Sequence, residues 1–361
     1  FSGVWIMAYT TIDDPSAHHH TQLFTGNDSN RTITNDANAG DFKPDLVWLK
    51  HRNHGTNHSN NLVDSSRGGT KTIYSNTTDG EETISTGITG FATDGFTIGS
   101  NGAVNANNIN YKAWQWKANG GTTTTNDASS TGVGNRDSVY QANTTAGFSI
   151  VRWTGVHPGN HTVAHGLGKT PKWIIFKNLS DNANWHVQHA EAGAYQKLPL
   201  NGTDQKTTDY NLGYGGSSTT FNLQNSNLDN GDGDEMVAYC WTPIKGYSKF
   251  GKYTGNGNND GPFIYTGFKP AWLMVRVTNA STDGWVVFDN KRDPHNGVQY
   301  YEFINNGNAE GSGTVRLDFV SNGFKLRQSG SSWNGSGSEI IYMAFAEHPF
   351  VSSEGVPVTA R

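Results

Sequence analysis

The stretch Phe268-Lys269-Pro270-Ala271-Trp272-Leu273-Met274-Val275-Arg276 decides the reading of this chain. A proline leads an apolar run, a base closes it, and no helical period is visible. Apolar side chains on both alternating sides predict a central strand covered on both faces. Two further stretches have the same form: Phe42-Lys43-Pro44-Asp45-Leu46-Val47-Trp48-Leu49-Lys50 and Lys169-Thr170-Pro171-Lys172-Trp173-Ile174-Ile175-Phe176-Lys177. Their prolines lie 127 and 99 residues apart, a domain-sized interval and not that of a short-repeat solenoid.

Working outward, an aromatic-Thr-Gly turn precedes each run, at Phe24-Thr25-Gly26, Trp153-Thr154-Gly155 and Tyr253-Thr254-Gly255. Downstream stand the runs Trp185-His186-Val187-Gln188-His189 and Trp285-Val286-Val287-Phe288-Asp289. Asp94-Gly95 and Asn322-Gly323 sit between aromatic strands and predict type I′ hairpins, whose two central positions need φ > 0. Each series ends in an apolar strand, and Ala113, Ala238 and Ala344 are read as one position facing a close-lying sheet. Ala190 to Gln196 is the one short helix expected.

This order predicts an all-β chain of tandem β-sandwich-like (jelly-roll-like) domains in three related copies. The expected boundaries are an N-terminal strand or arm over 1–21 and β domains over 22–119, 147–246 and 247–350. A Gly/Thr/Ser-rich linker over 120–146 sets the first domain apart, and a polar tail covers 351–361. Val4-Trp5-Ile6-Met7-Ala8-Tyr9 is similar to the last strand of a copy, and is expected to begin inside a preceding element or to complete a neighbouring sheet.

Composition agrees with strands and turns. Only 34% of the 361 residues are hydrophobic and 16% charged, yet 42 are aromatic, and these can bury enough surface to exclude disorder. The net charge of −5, with no Lys/Arg cluster, lacks the footprint of a duplex-binding protein and argues against a nucleic-acid partner. No apolar run approaches the roughly 20 residues of a membrane span. The single cysteine, Cys240, forms no internal disulfide and reads as a small buried hydrophobe.

No nucleophile elbow, zinc-protease helix, phosphate loop or dinucleotide fingerprint is present, so no catalytic residue is expected and no cofactor is required. Asp64, His189 and Asp289 hold one shared position, read as a turn cap or a partner for Arg67 and Arg292. Two metal sites are weighed against solvated loops. Asp229, Asp232 and Asp234 place oxygen ligands in the densest acidic loop, as Ca²⁺ prefers, although the spacing is not that of an EF-hand. His18 and His20 belong to a His-His-His run whose neighbours point to opposite faces of an extended strand, and would need three chains on an axis to converge. Trp185, Trp333 and Asn334 are candidate carbohydrate contacts, a flat ring stacking on a pyranose beside an amide; the bland alternative is core tryptophan.

One family resemblance is carried by Gly246-Tyr247-Ser248-Lys249-Phe250-Gly251-Lys252-Tyr253-Thr254-Gly255-Asn256, by Asp260 to Ala271, by Arg292-Asp293-Pro294, by Ser321 to Lys325, and upstream by Gly147 to Val151 and Val163 to Pro171. These resemble a repeat domain of large virion structural proteins in tailed bacteriophages, especially marine cyanophages. The likeness is good over roughly 147–350 and thinner over 22–117. It implies a non-enzymatic tail fibre, tail appendage or capsid-attached fibre at the virion surface, assembled with copies of itself, a trimer being expected, and with other virion proteins. Adhesion to a host cell-surface glycan is the further expectation. The competing readings are a secreted carbohydrate-binding module and a glycan-cleaving enzyme, the latter needing two carboxylates facing each other in a groove.

Overall fold

Short runs of β-branched and aromatic residues, broken by Gly, Asn and Asp, pair into antiparallel ladders throughout the chain. Strand takes 43% of it and helix 5%, so the all-β reading holds. The computed structural model describes residues 8–36, 42–54, 58–210, 215–223, 231–281 and 284–357.

Three large sheets dominate. Sheet I runs in the order His19–Thr25, Asn110–Trp116, Leu46–His51, Asn61–Asp64, Lys71–Tyr74, Glu82–Thr83. Sheet II contains Phe148–Thr154, Glu235–Trp241, Trp173–Asn178, His186–His189, Gln196–Pro199 and Thr207–Thr208 in that order. Sheet III runs Ser248–Thr254, Glu339–Pro349, Phe268–Val277, Val286–Asp289, Glu302–Phe303. In each, the proline-led strand lies between the last strand of the series and the strand ending in Asp64, His189 or Asp289. Register agrees as well: Leu46 pairs with Trp116, Trp173 with Trp241 and Trp272 with Phe345.

One face of each large sheet is covered by a small one. Arg31–Thr34, Gly95–Ile98 and Ile88–Ala92 cover sheet I; His161–Ala164 and Thr220–Leu223 cover sheet II; Phe263–Tyr265, Gly323–Leu326 and Leu317–Val320 cover sheet III. Each pair encloses its own apolar cluster, for example Val47, Leu49 and Val63 with Ile33, Phe96 and Ile98. The result is β-sandwich-like.

The opposite faces of all three large sheets meet in one further buried cluster. Leu46, Trp48, Trp114 and Trp116 from sheet I join Trp173, Ile175, Tyr239 and Trp241 from sheet II and Trp272, Met274, Met343 and Phe345 from sheet III. This explains the two-sided apolarity of the proline-led runs. It also corrects the expectation of sandwiches strung in a line with the first set apart.

The stretch 120–146 differs from a linker in the same way. Bracketed by glycines at positive φ (Gly120, Gly121, Gly132, Gly134 and Gly147), Thr124–Asn126 and Ser138–Asn143 add two strands to the edge of sheet II. Gln141 Nε2 then donates to Ser65 and Ser66 of the first sandwich at 2.9 and 2.6 Å. Sheet I begins at His19, three residues before the predicted boundary. Residues 1–7, which hold most of the predicted arm strand, lie outside the described residues; Thr10 Oγ1 donates to Lys245 O at 2.9 Å.

Three local expectations are also revised. The two-residue hairpin turns are Thr93-Asp94 and Ser321-Asn322, with Gly95 and Gly323 already first in their strands. Those glycines are needed because the neighbouring strand lies against them: a Cβ would fall 2.0 Å from Ile33 O and from Ile264 O respectively. Ala113 and Ala238 do share a register, opposite Leu49 and Phe176, but Ala344 lies two residues further on and Tyr342 takes the third place. Of the helix expected over 190–196, only the 3-10 turn Ala190–Ala192 forms.

Candidate functional site

Where the three large sheets meet, the polar groups fall into a repeating cycle. The residue just before the Asp64, His189 or Asp289 strand donates to its neighbour's carbonyl: Asn60 Nδ2 to Ile304 O (2.7 Å), Trp185 Nε1 to Tyr74 O (2.8 Å), Trp285 Nε1 to Pro199 O (2.8 Å). The base closing each proline-led run reaches the same neighbour: Lys50 Nζ to Asn306 O (2.6 Å), Lys177 Nζ to Thr78 O (2.9 Å), Arg276 Nη2 to Asp204 O (2.6 Å). Sheet I therefore reaches the third sandwich, sheet III the second, and sheet II the first. Three buried cations sit where an apolar strand ends because each finds a backbone oxygen there.

The shared Asp/His position completes the cycle in the other direction. Asp64 accepts Tyr239 Oη at 2.7 Å, Asp289 accepts Trp114 Nε1 at 3.3 Å, and His189 donates Nε2–H to Tyr342 O at 3.3 Å. Each also caps its own turn. Asp64 takes the amides of Ser66 and Arg67 and pairs with Arg67 at 2.5 Å; Asp289 takes the Arg292 amide and pairs with Arg292 at 2.6 Å; His189 Nδ1 takes the Glu191 amide. The predicted cap-and-base role is what the geometry shows. Burial pushes His189 down to about 3, so its ring is neutral at pH 7.

The junction between sheets I and III carries a charge cluster that extends the Arg292–Asp289 pair as Glu81 and Lys71 extend Arg67–Asp64, and adds one carboxylate, Glu302, that the other junctions lack among the described residues. Glu302, fully buried, is bonded by Lys112 and lies 3.2 Å from Lys50 and 3.9 Å from Arg292. Arg292 also approaches Glu310 at 3.6 Å, which pairs with Arg52 at 2.8 Å. Burial lowers Lys112 to about 8 despite Glu302. Nearby, His51, His54 and His58 form a triangle with ring centroids 4.3 to 5.9 Å apart. Both His51 nitrogens are used, Nδ1 accepting the His54 amide and Nε2 donating to Gly307 O at 2.9 Å, so this ring is structural. Sequence reasoning missed the charge cluster because it depends on which loops the closure brings together; the histidine triangle is local, and the spacing of His51, His54 and His58 is the signal that could have found it.

The predicted site residues lie apart. Trp185 and Asn334 are fully buried and Trp333 is 7% exposed, so none presents a face to a sugar. Trp185 is one of the junction donors. Asn334 clamps a loop: Nδ2 donates to Asn258 O and Gln328 O and Oδ1 accepts the Asn256 amide, as Asn105 does for Ser29, Gly99 and Asn27. Trp333 packs against Phe288 and Tyr301 beneath the Arg316 guanidinium. His18 lies edge-on to Tyr247, whereas His20 bonds Gln22 at 3.2 Å beside Asp36; they do not converge. His19 between them is stacked on Phe345. Asp229 lies outside the described residues, Asp232 is exposed, and Asp234 is tied to Asn178 Nδ2 at 2.7 Å. Among the described residues no three His, Cys, Asp or Glu side chains are grouped to hold a metal ion.

A cavity of about 410 Å³ opens between sheets I and III, lined by Asp14, His19, His20, Lys291, Glu347 and His348. Lys291 is held across the junction by Asp36 at 2.7 Å, and Glu347 is held within sheet III by Lys269 at 2.5 Å, so these charges are paired. Cys240 is buried and its thiol pushed well up, which removes it as a nucleophile. No helix among the described residues is long and apolar enough to cross a membrane.

A family model described as a domain of unknown function (DUF7483) matches residues 14–349. The chain belongs to that family. The DUF7483 match runs unbroken from the cap of the first 3-10 turn to the last residue of the longest strand of sheet III, so it takes in all three large sheets and their junctions. No curated protein and no solved structure matches the chain.

Proposed function

We propose that the chain is a non-enzymatic structural component of a phage virion surface, a tail fibre, tail appendage or capsid-attached fibre, built from three related copies of one β-sandwich-like module. The observation that carries this reading is the cycle of junction contacts. Six side chains at matching registers each reach the next sheet, which is how three subunits interlock around an axis. Here the three partners belong to one chain. Such a block is stiffened by buried aromatic surface and carbonyl-capped cations without a disulfide, which suits a component that must survive outside a cell.

The closed arrangement changes the expected assembly. Aromatic faces that a homotrimer would bury between chains are already buried within one, so the proposal is a block that adds to other virion proteins as a single copy. Antibody raised against the recombinant chain tests it. Labelling of purified phage particles at a fixed place, with the chain present in their protein inventory by mass spectrometry, is the expected result; absence from particles, with the chain recovered as a secreted product, would overturn it.

A further inference from the structure

Phe263 and Tyr265, each 48% exposed, are two of four large apolar side chains left open to solvent among the described residues, and the only two on one strand. Two residues apart on an edge strand, they point to the same face about 7 Å apart. The Phe263 ring lies against Gly323 on the paired strand, where a Cβ would come within 3.0 Å of it, so the missing side chain leaves the ring seated on the sheet. Tyr9 extends the patch. Its hydroxyl meets that of Tyr265 at 3.3 Å and donates to Gly267 O, and its ring lies edge-on to Phe350.

Charge around these rings is one-sided. Lys245 Nζ stands 4.4 Å from the Tyr9 ring centre and Lys249 Nζ 5.3 Å from that of Tyr265. Lys249 spends one N–H on Tyr265 O at 2.7 Å, and neither lysine pairs with a carboxylate among the described residues. Lys325 is neutralised by Asp260 at 2.6 Å. Two uncompensated cations over a row of aromatic rings, on a chain of net charge −5, mark a surface for an anionic partner with flat apolar faces.

We propose that this patch binds an acidic polysaccharide. Its pyranose rings lie on Phe263 and Tyr265, and its carboxylate or sulfate groups meet Lys245 and Lys249. The assignment goes beyond the scaffold reading and stands without it. It moves carbohydrate contact from Trp185, Trp333 and Asn334, which are buried, to rings that are open.

Calorimetric titration with alginate as the uronate probe, heparin as the sulfated one and dextran as the neutral one tests it on the full chain. Alginate or heparin is expected to bind at low salt, at least tenfold more tightly than dextran, and to weaken as salt rises. F263A/Y265A is expected to lose roughly tenfold or more in affinity, as two stacked rings are removed. K245Q/K249Q is expected to erase the preference over dextran with the fold intact by circular dichroism. Unchanged binding in either double variant overturns the proposal, as does failure of the unmodified chain to bind either acidic probe. A mass in solution of twice the chain, restored to one by F263A/Y265A, overturns it too, the patch then being a contact between copies.

Discussion

Glu302 stands where the other two sheets are apolar. It pairs with Val287, two residues before Asp289; the corresponding partners of Leu62 and Val187 are Ile73 and Leu198. Lys112 faces Lys50 across the ladder, where Val237 faces Lys177 and Ile341 faces Arg276. At this position the I–III junction therefore uses an ion pair where the other two use Val, Ile and Leu of the central cluster. Removing one partner of a buried pair costs about 3–5 kcal/mol, whereas replacing both by packed apolar groups is often neutral or stabilising by roughly 1–4 kcal/mol. In E302L, Lys112 keeps only His51 O at 3.2 Å, while Lys50 keeps Asn306 O and Arg292 keeps Asp289. The expected loss is at the upper end, about 4 kcal/mol. K112V is milder, about 2–3 kcal/mol, because Lys50 and Arg292 still compensate Glu302. K112V/E302L, which copies the chemistry of the other junctions, is expected within about 1 kcal/mol of the parent, a coupling of roughly 5 kcal/mol or more. Equilibrium urea unfolding of the four proteins reads this. A double variant as unstable as the sum of the singles would refute the equivalence of the three junctions.

Acid sensitivity is expected from the buried histidines. Burial lowers His19 and His189 to about 3 and His51 and His165 to about 4. Their unfolded counterparts titrate near 6.5, so the unfolded chain binds more protons below that pH; stability is full above it and falls as pH drops towards 4, by up to about 1.4 kcal/mol per pH unit for each ring. His19→Phe keeps the stack on Phe345 and should flatten the pH dependence of Tm between 6.5 and 4; an unchanged slope would exclude His19 as a contributor. Trp285→Phe strips the Pro199 carbonyl of its donor and should cost about 1–3 kcal/mol, with Trp185→Phe costing a similar amount at Tyr74, both read by denaturant midpoint. Asn334→Ala and Asn105→Ala each release a loop held by three hydrogen bonds and should each cost about 2–4 kcal/mol, without changing any glycan affinity.

Much of the architecture is legible in order and pattern. The proline-led runs read as two-sided central strands because their side chains alternate between two apolar environments, and both environments exist. The Asp64, His189 and Asp289 position reads as a cap because a polar side chain there can satisfy the amides two or three residues on without any tertiary partner, and at Asp64 and Asp289 an arginine stands three residues later. What lies on the second apolar side is not legible. Trp48 or Trp173 would look the same facing a second sheet, a neighbouring chain or, as found, two other sheets of the same chain. The 120–146 stretch misleads through composition, since Gly, Thr and Ser suit a loose linker and also turns between β-branched edge strands. Trp185, Trp333 and Asn334 look like a sugar surface because an indole beside an amide has no signature of burial; partner carbonyls such as Tyr74 O lie more than a hundred residues away. The exposed rings Phe263 and Tyr265 pass unnoticed for the converse reason, sitting in a strand whose alternation looks ordinary.

Scanning calorimetry of the intact chain tests the shared core most directly. Three large sheets built on one buried cluster should melt in a single transition, with calorimetric and van't Hoff enthalpies equal. Two or three resolved transitions, each with its own enthalpy ratio near one, would mean that the sandwiches unfold separately and that the central cluster does not unite them.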